Sequence, residues 1–69
     1  MQSRVMLLQQ KLADYQKKAS ELRTLDEFIM LKQRLQEMMG AFAAYEEWDL
    51  YQKTADLMAQ TVLHIRFIE

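Results

Sequence analysis

Residues 42–51 read FAAYEEWDLY and set four aromatic side chains three positions apart, at Phe42, Tyr45, Trp48 and Tyr51. Each residue of an α-helix advances about 100°, so a step of three falls about 60° short of a full turn. In a continuous helix the four rings therefore wrap around half of the helix, which is more than one neighbouring helix covers. Either a turn between Tyr45 and Trp48 lets all four rings meet in a three-helix core, or some of the rings contact a second surface.

Three apolar stripes with alternating spacings of three and four run through the chain and predict helices. The first stripe predicts a helix over about residues 2–23 and consists of Val5, Leu8, Leu12, Tyr15, Ala19 and Leu22. The second stripe consists of Phe28, Leu31, Leu35, Met38, Phe42 and Tyr45. The third consists of Trp48, Tyr51, Ala55, Met58, Val62 and Ile65. The step from the second stripe to the third is three residues where four is due, a pattern typical of a stammer or of a turn between helices.

The chain carries one clear signal for a helix start and one ambiguous signal for a helix end. Thr24 followed three residues later by Glu27 matches a capping box, which predicts a break at about residues 23–24 and a helix from about residue 25. Gly40 is the one glycine, and no Ser, Thr, Asn or Pro follows it closely to cap a new helix. The sequence therefore favours one long helix over residues 25–66, with a bend or break between Gly40 and Trp48 as the alternative.

The composition predicts an all-α protein with a single helical domain over residues 1–69. The chain is 51% hydrophobic and 28% charged, with one glycine and no proline from which sheet turns are usually built. We expect a helical hairpin with a long second helix, and a three-helix bundle is the alternative. Further apolar residues lie off the stripes and predict dimerisation into a helical bundle, since contiguous apolar patches mark interfaces. These residues are Met6, Leu7, Leu25, Ile29, Met30, Met39, Leu50, Leu57, Leu63, Phe67 and Ile68.

Charge and targeting signals bound the function classes. The net charge is −1, but residues 1–34 hold seven basic and four acidic side chains, giving +3, while residues 35–69 hold two and six, giving −4. The plain interpretation of this asymmetry is that the two halves pack against each other. The apolar runs are too short for a secretory signal or a membrane span. We expect a cytoplasmic protein that does not bind membranes.

Residues suited to catalysis or ligand binding are few. There is no cysteine, and the single histidine, His64, has no acidic residue within a helical turn to share a metal ion. We expect the acidic cluster of Glu46, Glu47 and Asp49 to be a solvated helix face, because a thin helical protein offers no cleft that would shift carboxylate pKa values. No glycine-rich phosphate loop or calcium-loop pattern is present. We therefore expect no enzyme activity, no cofactor, no metal and no small-molecule substrate.

The function that these features favour is protein binding. We expect a small non-enzymatic adaptor, chaperone, regulator or inhibitor that acts through helix–helix contacts with a partner protein. The alternatives are a self-associating structural bundle, such as a homodimer or higher homo-oligomer, and a nucleic-acid accessory protein that uses basic residues of the first helix. Direct nucleic-acid binding is disfavoured by the isoelectric point near 5.8. The predicted partner-binding residues are Met39, Phe42, Tyr45, Trp48, Leu50 and Tyr51.

Overall fold

The computed structural model describes residues 3–68, which form three α-helices. Helix α1 spans Arg4–Ala19, α2 spans Leu25–Ala44 and α3 spans Trp48–Ile68. Residues 3–68 contain no strand, so the prediction of an all-α protein is confirmed. The two joining segments are short, and both are closed by specific hydrogen bonds.

Helix α1 is bounded by a serine at each end. The Ser3 hydroxyl oxygen accepts a hydrogen bond from the Met6 N–H (3.1 Å), and the Ser20 hydroxyl donates to the Lys17 carbonyl (2.8 Å). Lys17 and Lys18 occupy the last turn, where cations stabilise the helix dipole. The predicted helix over residues 2–23 is therefore too long at its end. Residue 2 lies outside the described residues.

The chain leaves α1 before residue 23 because the next segment belongs to the start of α2. The Thr24 hydroxyl accepts from the Glu27 N–H (3.3 Å), and the Glu27 carboxylate accepts from the Thr24 N–H (3.1 Å) and the Arg23 N–H (3.4 Å). Hydrogen bonds from the Thr24 hydroxyl (2.9 Å) and from these two amides hold the pKa of Glu27 below its usual value. These bonds require an extended backbone at Thr24 (φ −103°, ψ 153°), and the predicted capping box is confirmed.

Helices α2 and α3 are separate, so the long helix predicted over residues 25–66 is wrong. Helix α2 ends in a Schellman motif, in which the Glu46 N–H donates to the Ala43 carbonyl (3.0 Å) and the Glu47 N–H donates to the Phe42 carbonyl (2.9 Å). Glu46 has the positive φ of 58° that this motif requires. Glycine usually fills this position, but here Gly40 lies inside α2. The break falls between Gly40 and Trp48, as the alternative prediction allowed.

Substituting Glu46 by glycine should stabilise the protein. A left-handed backbone strains every residue with a Cβ atom by about 1 kcal/mol, and glycine avoids that strain. We expect Glu46→Gly to raise the free energy of unfolding by about 0.5–1 kcal/mol in urea titrations. Glu46→Ala is the control, because it removes the same carboxylate but keeps the Cβ atom. Equal stability of the two variants would show that the positive φ carries no strain.

Helices α2 and α3 pack densely as an antiparallel pair. The Phe28 ring near the start of α2 stacks on His64 near the end of α3, with ring centroids 5.3 Å apart and planes inclined by 10°. Counting an equal number of residues forward along α2 and back along α3 from this contact pairs each further buried residue of α2 with a buried residue of α3. The resulting levels are Phe28 with His64, Leu31 with Thr61, Leu35 with Leu57, Met38 with Thr54, and Phe42 with Leu50.

Two threonines are buried on the core face of α3. Thr54 and Thr61 donate their hydroxyl protons to the carbonyls four residues earlier, at Leu50 (2.7 Å) and Leu57 (2.8 Å), so both hydroxyls are satisfied without a partner on another helix. Both residues are small and lie level with long side chains of α2, an alternation that fills a core without voids. The α3 core face therefore consists of Leu50, Thr54, Leu57 and Thr61. This core face lies next to the third apolar stripe that the sequence predicted, on the same helix.

Helix α1 covers one side of the α2–α3 pair. Leu12 is its one buried residue, and the partly buried Val5, Leu8, Tyr15, Ala19 and Leu22 pack around the same core. Near its start, α1 shares a groove with Ala41 and Tyr45 of α2, and near its end it shares another with Gln60 and His64 of α3. Helix α1 thus runs antiparallel to α2. All six residues of the first stripe contribute to the core.

Candidate protein-binding surface

The six predicted partner-binding residues do not form one surface. Phe42 is 0% exposed and Leu50 is also buried, so both belong to the core of the chain and present no surface to a partner. This corrects the prediction for these two residues. The physical reason is the break at residues 45–47, which turns Phe42 and Leu50 toward each other across the antiparallel pair.

The other four predicted residues are accessible but lie in two places. Tyr45 is exposed and lines an open groove of about 450 Å³ together with α1. Trp48 is 59% exposed, and its ring meets Tyr51 edge-on, with centroids 5.6 Å apart and planes inclined by 73°. Met39 and Tyr51 are partly buried. Trp48 and Tyr51 thus form an accessible aromatic pair at the start of α3.

Helix α1 determines which side of the α2–α3 pair remains uncovered. On α2 it lies along Arg34, Glu37 and Ala41, and on α3 it lies along Lys53 and Gln60. At 100° per residue, the opposite side of each helix carries a second stripe with spacings of three and four. We call these two stripes together the α2–α3 flank. On α2 the flank consists of Leu25, Ile29, Lys32, Gln36, Met39 and Ala43, and on α3 of Trp48, Tyr51, Ala55, Met58, Val62 and Ile65.

On α3 the flank is more regularly apolar than the core face beside it. Every flank residue of α3 is apolar or aromatic, whereas the core face of the same helix carries two threonines. The one charge in the two stripes is Lys32. Tyr51 and Met58 pack against the core at its edge, and the flank residues of α3 remain partly or mostly accessible. The sequence predicted this stripe of α3, with Trp48 and Tyr51 as partner-binding residues.

The predicted acidic cluster and His64 have structural roles. Glu46 and Glu47 close the Schellman motif through their backbone amides, and Asp49 lies in the first turn of α3, where a negative charge stabilises the helix dipole. Within residues 3–68 no group of three or more His, Asp or Glu side chains is arranged to hold a metal ion. The His64 ring stacks on the Phe28 ring.

None of the helices described between residues 3 and 68 combines the length and the hydrophobicity that a membrane crossing requires.

Comparison with known proteins places the chain in a family. No family model matches the sequence. No solved structure matches it. The uncharacterized protein YyzB of Bacillus subtilis (strain 168) is 47% identical over 58 residues, which cover 84% of this chain and 87% of that protein. At this identity and coverage, the chain belongs to the same family as YyzB.

Proposed function

We propose that the chain is a small non-enzymatic protein-binding module that acts in the cytoplasm through helix–helix contacts on the α2–α3 flank. The observation that carries this proposal is an apolar stripe on α3 that is free of polar interruptions and lies on the side of the helix pair away from α1. Water-exposed apolar surface of this regularity is a liability unless another protein covers it. Adaptors, small chaperones, regulators and inhibitors all use such surfaces.

The spacing of the flank favours a helical partner. Positions three and four apart form a seam with a period of 3.5 residues, into which the side chains of another helix insert. Trp48 and Tyr51 are the anchors we propose at one end of the seam, since large aromatic side chains dominate the binding energy of protein interfaces. Ile29, Met58 and Val62 supply the aliphatic contacts along its length. Methionine side chains adapt to irregular partner surfaces.

Of the predicted anchors, Tyr45 belongs to a second surface. The groove beside it is lined by the apolar Leu7, Leu8 and Ala41 and by the charged Arg4, Lys11 and Asp14. It lies on the α1 side of the molecule and stays accessible when the flank is occupied. We assign the main contact to the flank because its apolar area extends along two whole helices.

Site-specific photocrosslinking tests the proposal. A benzophenone amino acid placed at Val62, on the flank, should crosslink to protein in Bacillus subtilis cells that express the chain. The matched control is the adjacent Leu63, which is also apolar and is 53% exposed but points away from the flank. We expect adducts at residue 62 that are at least about tenfold more abundant than those at residue 63, because a buried interface residue stays within reach of its partner.

The absence of adducts at both positions, or equal adducts at both, would contradict the proposed function. The mass of the adduct identifies the partner.

A further inference from the structure

We propose that the protein that covers the α2–α3 flank is a second copy of this chain. The two flanks would face each other, so that the two α2–α3 pairs form a four-helix arrangement with an α1 on each outer side. This inference rests on the proposed function and specifies the partner of the same surface. Three features of the molecule support it.

The first feature is the surface that one chain leaves in water. The chain exposes 5216 Å². A compact monomer of its mass, 8.3 kDa, exposes about 4,600 Å². The excess of about 600 Å² is close to the area of about 800 Å² that each partner buries in a stable interface. A symmetric contact through the flank, which includes the exposed Ile29 and Trp48, would bury an area of this size.

The second feature is the chemistry of the flank. Twelve positions carry one charge, Lys32, and one uncharged polar amide, Gln36. Surfaces that meet a partner transiently are about as polar as the rest of a protein, whereas the interfaces of permanent homodimers are depleted of charge and resemble a core cut in half. Lys32 can keep its ammonium group in water while its methylene stem covers apolar surface. The flank thus fits a permanent apolar partner rather than a charged one.

The third feature is the match in dimensions. Helix α2 has 20 residues and α3 has 21, so both extend about 30 Å. A flat face formed by two helices of equal length complements an identical face, as in four-helix bundles. Helix α1 lies on the opposite side of the pair, so it does not obstruct the approach of a second copy. A two-fold axis then repeats each contact, which doubles the effect of any substitution in the interface.

Light scattering across a concentration series, with two matched pairs of variants, tests the inference on the full chain. On α3 the pair is Val62→Glu, on the flank, and Leu63→Glu, off the flank. On α2 it is Ile29→Glu and Met30→Glu, whose native side chains are 37% and 57% exposed. Circular dichroism confirms that each variant is folded. Since Ile29 is already partly accessible, its variant keeps the test valid if Val62→Glu unfolds.

We expect the unmodified chain to have twice the mass of 8.3 kDa. Each flank variant should weaken the dimer by about a hundredfold or more, because every dimer would bury two glutamates, while each control should stay within about twofold. A monomeric unmodified chain at about 1 mM would overturn the inference, and so would a dimer that all four variants leave intact.

The two proposals fail in different ways. If residue 62 crosslinks to another protein while the purified chain is monomeric, the flank binds a partner and the second copy is wrong. If residue 62 crosslinks to nothing in cells, the proposed function itself fails. An adduct with twice the mass of the chain, together with a dimer that flank glutamates dissociate, supports both proposals.

Discussion

Replacing Phe42 with alanine should lower the free energy of unfolding by about 3–5 kcal/mol, which would leave a domain of this size largely unfolded at room temperature. Phe42 is fully buried, and the antiparallel register places it level with Leu50 at the closed end of the α2–α3 pair. Alanine would leave a cavity there that the adjoining Schellman motif prevents the helices from closing, since the Phe42 carbonyl accepts one of its hydrogen bonds. Circular dichroism during urea titration measures the change.

Trp48→Ala is the comparison variant for Phe42→Ala. Phe42 and Trp48 belong to the same aromatic series, six residues apart, yet the Trp48 ring is mostly in water. In the Ile29→Glu background, where the proposed association through the flank is weakened, we expect Trp48→Ala to lower the free energy of unfolding by no more than about 1 kcal/mol. In the unmodified chain it should weaken binding on the flank. A large loss of stability from Trp48→Ala in the Ile29→Glu background, or a small loss from Phe42→Ala, would contradict the assignment of one ring to the core and the other to the surface.

The apolar stripes and the capping box show how much of the fold can be predicted from the sequence. Apart from the exposed Tyr45, the stripes of α1 and α2 coincide with the core faces, because the buried residues of these helices are large aliphatic or aromatic side chains. The capping box correctly located the start of α2, because two side chains of defined type must satisfy the helix start. Both signals are local. They depend on residues within a few positions of one another.

The break between α2 and α3 was harder to predict because no side chain specifies it. Its hydrogen bonds join backbone groups only, and the position with positive φ is a glutamate rather than the expected glycine. The strain at Glu46 is offset by packing of the two helices after the chain reverses, which is a tertiary effect. Gly40 is the helix-breaking residue that the sequence suggested, yet it lies inside α2, where a Cβ atom would meet nothing within 4 Å.

The candidate surface was only partly predictable for the same reason. Sequence alone indicated that one neighbouring helix cannot cover Phe42, Tyr45, Trp48 and Tyr51 together, and the structure divides them among the core, the groove beside α1 and the flank. Which side of the α2–α3 pair stays open depends on where α1 docks. The docking position of α1 results from packing of the whole chain, so no local sequence pattern predicts it.

The assignment of α3 faces leads to the second large effect, which is expected from Leu57→Ala. Leu57 is buried level with Leu35, so its truncation should lower the free energy of unfolding by about 2–4 kcal/mol. Met58, the next residue, belongs to the regular apolar stripe from which the third helix was predicted. Because Met58 is only partly buried, we expect Met58→Ala to lower the same free energy by about 1 kcal/mol. Urea titration of both variants provides the comparison.

The comparison should be made in the Ile29→Glu background, where the proposed association through the flank is weakened and the stability of one chain is measured. Periodicity did not identify the core face of α3, because that face carries two threonines whose hydroxyls are satisfied by the carbonyls of their own helix. If Met58→Ala proved more destabilising than Leu57→Ala in this background, α3 would be rotated by about 100° from the orientation described, and the flank would be its core face. If Leu57→Ala lowers the free energy of unfolding much more than Met58→Ala, as expected, the apolar stripe of α3 remains free to bind a protein outside the chain.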